Sequence, residues 1–408
     1  MKKFINELKE SIQQQSDIFD NTLILNPVEN VPFKDILEPC SVFLHGLYNT
    51  DTVRDLESKY NSKIQFSGRG QITQDVNDIY NQWAKLLDGE KVSMRLLSGL
   101  HAHTVLFMGI SKIGDKVLYL PEKAGGHTSG KAILERLGLQ IMELPIDYDN
   151  FRIDIEKAKV IYDSFNPDIL FIDRSEGLIY EDFTELCSYC DCYKIFDASQ
   201  YLTNIICKDY KNPFEMRFNL ILSTMHKNLP GPQRAFVCSK EDDKMWKQLK
   251  SHISTYVSNM HVFTIYSAGL LLDHMDQLCT LSKRMLENAT LLDKCLSDNE
   301  VIVIERKYFN NEMPTHHCWI KSNGQEEAFK LYLSLEQLGL MSNYRLLPYN
   351  IGYGLRIGMS GATMSGLKPE HIPELAYIIG TAYKDGYSEQ LKKRTTDFIR
   401  YIKEKANE

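Results

Sequence analysis

Four segments of this chain are apolar through nearly their whole length: Ile169-Leu170-Phe171-Ile172-Asp173, Tyr193-Lys194-Ile195-Phe196-Asp197, Leu220-Ile221-Leu222-Ser223-Thr224 and Ala235-Phe236-Val237-Cys238. A strand with one wet face alternates apolar and polar residues; a strand apolar on both sides must be covered on both. Helical patterns alternate with these segments and with a shorter strand at Lys116 to Leu120. The pattern predicts an α/β fold, with a mostly parallel sheet buried on both faces.

Helical spacing is expected from Met1 to Asp20, from Ile72 to Leu87, from Ser98-Gly99 through Met108, and from Lys131 to Leu137. A long apolar helix is expected over Ser258 to Met275. The chain then changes character. A helix through Leu291, strands at Val301 to Ile304, His317 to Lys321 and Leu355 to Gly358, and a helix from Glu326 to Leu338 read as a smaller α+β domain. The expected organisation is an N-terminal arm (1–30), a large domain (31–270) and a small C-terminal domain (271–408).

With 408 residues, of which 25% are charged, the chain has length enough for two or three domains. A net charge of -7 argues against a nucleic-acid partner. No apolar run approaches the ~20 residues of a membrane span, and the basic start has no apolar core behind it, so no membrane and no secretory signal are expected. Nine cysteines, an odd number, read as reduced thiols of a cytoplasmic chain. Cys187, Cys190 and Cys192 have no second pair at metal-site spacing, so no metal is expected.

The sharpest local signal is Ser223-Thr224-Met225-His226-Lys227, where an apolar strand ends on a His-Lys pair before Pro230-Gly231-Pro232. Ligands of open α/β sheets bind beyond the carboxyl ends of strands. Lys227 is there either a solvated surface lysine or an amine for a Schiff base with pyridoxal phosphate. Asp197 also ends an apolar strand, as a turn former or as the acid partner of a pyridinium nitrogen. Ser98-Gly99-Leu100 at a helix start offers N–H groups and a hydroxyl to a phosphate. His127, after Gly125-Gly126, can stack on a flat ring. Arg356, in an apolar strand, needs an anionic partner: a structural carboxylate or a substrate carboxylate gripped in a bidentate fork.

In this order along the chain, the motifs resemble those of the serine hydroxymethyltransferase family of fold-type I pyridoxal-phosphate enzymes, over roughly residues 15–370. Asn26-Pro27-Val28-Glu29-Asn30 looks like that family's Ala-Ser-Glu-Asn loop. Ser98 to His103 is similar to its Ser-Gly-Ser-Gln-Ala-Asn phosphate motif, and Gly125-Gly126-His127 is identical to its Gly-Gly-His motif. Asp197-Ala198-Ser199-Gln200 looks like Asp-x-Ala-His, Thr224 to Lys227 with Gly231-Pro232 resembles Thr-Thr-His-Lys-x-x-x-Gly-Pro, and Gly354 to Gly358 resembles the arginine motif for the substrate carboxylate.

The resemblance implies an aspartate-aminotransferase-like fold with a large cofactor domain and a smaller C-terminal α+β domain. It implies pyridoxal 5'-phosphate on Lys227, with Ser98, Gly99, Leu100, His127, Asp197, Gln200 and Tyr60 around it. Arg356, Tyr60 and Glu29 would take the substrate, and Lys227, Glu29 and His226 would move protons. The implied reaction makes or breaks the Cα–Cβ bond of a β-hydroxy-α-amino acid, with an amino acid and an aldehyde as substrates. Homodimers with shared active sites are also implied, Tyr60 and Ser254 to Ser258 reaching the neighbour. Departures from the family pattern bear on tetrahydrofolate. Val28 replaces a serine, Gln200 replaces a histidine, and the stretch from Ser58 to Gly68 keeps Tyr60 but lacks the glutamate used with folate. Aldol cleavage or transaldol exchange is therefore expected ahead of folate-dependent hydroxymethyl transfer. Aminotransfer and a non-catalytic cofactor-fold binding protein are the remaining alternatives.

Overall fold

The computed structural model describes residues 1–38, 42–50, 55–62, 64–309 and 312–406, which leaves Cys40 and Lys63 outside the described residues. Contacts divide the chain into two units: residues 32–282 with 307–313, and residues 1–31 with 283–306 and 314–408.

The first unit holds a seven-stranded sheet. Its strands are β1 (Lys91–Ser93), β2 (Lys116–Tyr119), β3 (Gln140–Glu143), β4 (Ile169–Asp173), β5 (Tyr193–Asp197), β6 (Leu220–Thr224) and β7 (Ala235–Ser239), in the order β1-β7-β6-β5-β4-β2-β3. Every residue of β4, β6 and β7 is buried. The pairs from β6 across to β3 are parallel. β7 runs antiparallel to both its neighbours. The segment from Met225 to Arg234 is too short for a crossover helix, so the chain can only fold back beside β6. The helices Gly99–Ile110 and Lys244–Tyr256 contribute Val105, Phe107, Trp246, Leu249 and Ile253 to one core with Phe171, Ile195, Leu222 and Val237.

The single helix expected over Ser258 to Met275 is not formed. The chain has a helix over Val262–Leu270, a 3-10 turn over Leu271–His274, and a second helix over Met275–Asp298. Two buried arginines hold the part before Val262 out of the helix. Arg95 donates from Nη2 to the carbonyls of Val257 and Ser258, the latter at 2.9 Å. Arg234 donates to the carbonyls of Met260 and Met94, to Thr264 Oγ1 at 2.5 Å and to His261 O at 3.3 Å. The carbonyls of Val257, Ser258 and Met260 are turned to these side chains rather than along a helix, and His261 sits at φ 50°. Apolar periodicity carries no trace of this clamp.

The second unit is built on a three-stranded antiparallel sheet, with Gly352–Gly358 between His317–Lys321 and Asn343–Leu347. The helix Gln325–Leu338 buries Ala328, Leu331, Leu335 and Leu338. Leu23–Ile24 pairs in parallel with Leu340–Met341, which ties the N-terminal segment into this unit. The expected strand from Val301 to Ile304 is reduced to one bridge, Val303 to Ile320. Beyond it, Arg306 gives its side chain to the carbonyls of Thr315 (2.8 Å) and His317 (2.6 Å), acceptors that a continuing ladder would need. The helix Lys2–Asp20 has no buried residue. No helix among the described residues is long and apolar enough to cross a membrane.

Candidate active site

The carboxyl edge of the sheet gathers most of the polar residues singled out above. Asp173 and Asp197 end β4 and β5 and are register partners, so their carboxylates leave the sheet side by side. The helix Gly99–Ile110 starts on Ser98, whose hydroxyl accepts from His101 N at 3.4 Å. Gly99 and His103 lie four apart and so share a face. His103 Nε2 is 2.7 Å from Asp197 Oδ2, and its Nδ1 is 3.9 Å from Asp173 Oδ2. A carboxylate only accepts, so Nε2 carries the proton. The other oxygen of Asp197 accepts from Ser199 N at 2.8 Å.

All three groups are buried. Burial works against the charge of Asp197, but the hydrogen bond and charge of His103, with Lys227 and Ser199, outweigh it and lower its pKa. Asp173 has less support, and burial pushes its carboxyl up. Burial also opposes the His103 cation, but the two carboxylates prevail and raise the imidazole above its ordinary value.

His127 is placed by the two glycines before it. Gly125 has φ +88°, and a Cβ there would lie 2.0 Å from the Glu176 carbonyl oxygen. At Gly126 a Cβ would lie 2.3 Å from Leu120 O. Only glycine allows this approach. Glu176 N donates to Gly125 O at 2.9 Å, which binds the loop to the chain just past β4. His127 Nδ1 accepts from Ser129 N at 3.1 Å, and its ring stands edge-on to His103 at 6.1 Å between centroids. Burial lowers the pKa of His127.

Beyond β6, the loop carrying Lys227 is pinned at both ends. Thr224 N donates to Ser199 Oγ at 2.9 Å, and Thr203 donates from N to Asn228 Oδ1 (2.7 Å) and from Oγ1 to Asn228 O (2.9 Å). Lys227 is half-buried. Its positive charge bears on His103, His127, Asp173, Asp197 and His226. Gln200 is buried beside Asp197 in sequence. The residues present fit a phosphorylated pyridine. Thr224 Oγ1 and His226 Nδ1 are buried without a hydrogen-bond partner among the described residues. A Cβ at Gly99, on the facing helix start, would come 3.1 Å from Thr224 Cγ2. A helix N-terminus, a tight glycine and orphaned polar atoms suit an anion.

Tyr60 is 89% exposed on the short helix Leu56–Tyr60 and is not brought to this cluster. Ser98 and Leu100 are exposed. Arg356 and Glu29 belong to the second unit. Arg356 is buried at 4% exposure and donates from Nε to Asn343 Oδ1 at 3.2 Å. Asn343 lines a groove of about 460 Å³ with Asn26, Glu29, Tyr332 and Tyr344. His316 and His317 are fully buried, and burial holds His317 well below the usual histidine range. Cys187 and Cys190 are buried free thiols, and burial pushes the Cys187 thiol up to about 12.

Sequence reasoning missed His103 and Asp173 as partners of Asp197. A signal existed: two apolar strands each close on aspartate, and His103 is one helical turn beyond Gly99.

The fold and this edge define a fold-type I pyridoxal-phosphate enzyme. L-threonine transaldolase from Pseudomonas fluorescens has the same fold, with a TM-score of 0.89 at 19% identity over 98% of this chain and 92% of that one. The sequence matches the family described as serine hydroxymethyltransferase over residues 3–379, and the chain belongs to that family. Among curated relatives, the serine hydroxymethyltransferase of Pyrobaculum aerophilum is 25% identical over 79% of this chain and 77% of its own. That of Sulfolobus acidocaldarius is 23% identical over 92% and 88%.

Proposed function

We propose that the protein makes or breaks the Cα–Cβ bond of a β-hydroxy-α-amino acid by aldol cleavage or transaldol exchange. The observation that carries this reading is the grouping of Lys227, His127 and Asp197 at one edge of the sheet, in a chain that lacks the folate-associated glutamate near Tyr60. Bound there, pyridoxal phosphate supplies an electron sink for negative charge at Cα. Lys227 would hold the cofactor through its amine and, when displaced by substrate, carry a proton at Cα. Asp197, held as a carboxylate, would keep a proton on the ring nitrogen. The imidazole of His127 would cover one ring face. Ser98, Gly99 and Leu100 would receive the phosphate at a helix start, and Gln200 would lie beside the ring.

Arg356 grips the substrate carboxylate, and Asn343 fixes the guanidinium by accepting from its Nε. Glu29, exposed on the Asn343-lined groove, takes the proton of the β-hydroxyl, with His226 as the second candidate base. Burial, reinforced by Lys227, lowers the His226 pKa, which leaves it neutral and able to accept a proton at pH 7. A homodimer completes the reading. Its support is the exposed apolar side chains Phe4, Leu8 and Ile12 on the first helix and Val42, Phe43 and Leu56, together with exposed Tyr60.

The test is a panel of glycine, L-serine and L-threonine, with and without tetrahydrofolate and acceptor aldehydes. L-threonine turnover without tetrahydrofolate is expected. Serine turnover that depends strictly on tetrahydrofolate, with none on threonine, would restore the reaction named for the curated relatives.

A further inference from the structure

We infer that His103 and Asp173 are positioning residues for Asp197, forming a buried carboxylate–imidazole–carboxylate row that fixes the Asp197 carboxylate in place and keeps it ionised. The inference rests on the reading of Asp197 as partner of the cofactor's ring nitrogen, and it adds the two groups that make an aspartate fit for that task.

The geometry gives each atom its duty. Asp197 Oδ1 is held by Ser199 N, and Oδ2 by His103 Nε2 at 2.7 Å, so neither oxygen can swing. An isolated carboxylate in so buried a place would take up a proton rather than bear the desolvation cost. A protonated Asp197 could not hold a proton on a neighbouring nitrogen. A cationic imidazole prevents that, and a cationic imidazole needs a second anion. Asp173 is that anion. Its Oδ2 has no hydrogen-bond partner among the described residues and faces His103 Nδ1 at 3.9 Å, and Nδ1 is likewise without one. The imidazole therefore carries a proton on each ring nitrogen, Nε2–H bonded to Asp197 and Nδ1–H turned toward the Asp173 carboxylate at ion-pair distance. Two of the shifts already described run the same way, Asp197 down and His103 up, while burial works against the charge of Asp173.

The other groups facing His103 are the edge of the His127 ring, the Phe171 ring at 5.3 Å and the charge of Lys227. His127 and Lys227 oppose the cation, so Asp173 is the support whose loss should matter. The same two atoms explain why the row is unequal. Asp197 has a charged donor in hydrogen-bond contact, and Asp173 has it only at ion-pair distance.

The experiment uses the full chain with histidine labelled in 15N, first without cofactor. The signal is assigned by its absence in His103→Asn. In the native chain, His103 should keep both ring protons above pH 6.5. Asp173→Asn should drop its titration below that of the native chain while the Nε2 proton stays. A His103 that is neutral at pH 6.5 in the native chain, or a titration unmoved by Asp173→Asn, overturns the inference. If Asp173→Asn does not fold, the native titration alone decides.

Pyridoxal phosphate is then titrated into the cofactor-free chains and followed by fluorescence. Asp173→Asn should weaken binding measurably at pH 8 and by less at pH 6. His103→Gln, which keeps a donor without the charge, should restore the position of Asp197 but not the native pH profile. A uniform loss at every pH marks a packing role and overturns the inference. Failure of the native chain to bind pyridoxal phosphate would instead sink the cofactor reading, with the histidine titration still deciding the row.

Discussion

Replacing Gly125 by alanine should separate two costs that usually arrive together. The residue sits at φ +88°, where an L side chain costs about 1–2 kcal/mol. Its new Cβ would also lie 2.0 Å from the Glu176 carbonyl oxygen, which is backbone and cannot rotate away. Forcing apart a packed contact of this kind adds about 1–3 kcal/mol. Gly114 supplies the control, because it has φ +90° and an added Cβ there would meet nothing within 4 Å. Gly114→Ala should lose only the backbone cost, and Gly125→Ala a total of about 2–5 kcal/mol. Changes in the unfolded chain are common to both and cancel. Urea unfolding would be read in a Trp319→Phe background, so that the signal comes from Trp83 and Trp246 of the sheet-bearing unit. Gly125→Ala should also weaken pyridoxal-phosphate binding by displacing His127, while Gly114→Ala should not. Equal stability losses in the two variants would refute the argument that the Glu176 contact is what demands glycine.

Three further outcomes are expected. Arg356→Ala should weaken amino-acid binding by roughly 2–5 kcal/mol, the range for truncating one partner of a buried charge pair, without loss of cofactor binding; unchanged amino-acid affinity in an equilibrium titration would make the arginine structural. Arg234→Met should strip donors from the carbonyls of Met94, Met260 and His261; at ~1–3 kcal/mol for each, urea unfolding should show a loss of about 3 kcal/mol or more, and a loss below ~1 kcal/mol would contradict the clamp. Stability should fall as pH drops from 6.5 towards 5. Burial leads the causes that lower the folded pKa of His101, His127, His226, His261, His317 and His371. A depressed folded pKa means stability held above the unfolded value and lost as pH falls through the folded one. The raised His103 opposes this once, and each net proton is worth about 1.4 kcal/mol per pH unit. A urea midpoint flat over that interval would contradict the burial of these rings.

The strands of the large sheet could be read directly because their requirement is local: a segment wet on neither side must be apolar throughout. The site motifs could be read for a related reason. Lys227, Asp197 and His127 follow strand ends or tight glycines, which leave marks in a few adjacent letters. What stayed hidden depends on partners far along the chain. The break before Val262 is made by Arg95, which is 162 residues from Val257. The row through His103 requires knowing that β4 and β5 are neighbours in register. The truncated strand at Val303 depends on what Arg306 does with carbonyls on another strand. In each case a side chain takes over backbone acceptors or aligns two distant ends, and periodicity is blind to both.

The arginine clamp has a consequence for how the bend before Val262 can be altered. Arg95 and Arg234 grasp main-chain oxygens from Val257 to His261, and every residue type supplies the same oxygen. The oxygens at this bend are therefore gripped from outside it, while Asn259 anchors it from within. Ser258 can be exchanged for other small or polar residues with the path intact, whereas a change at either distant arginine should redraw the bend with its own letters untouched. Anyone grafting a different loop here should keep its length, the two guanidinium groups, the buried Val257 and Met260, and Asn259, whose side chain bonds Asn49 N, Leu47 O and His261 N.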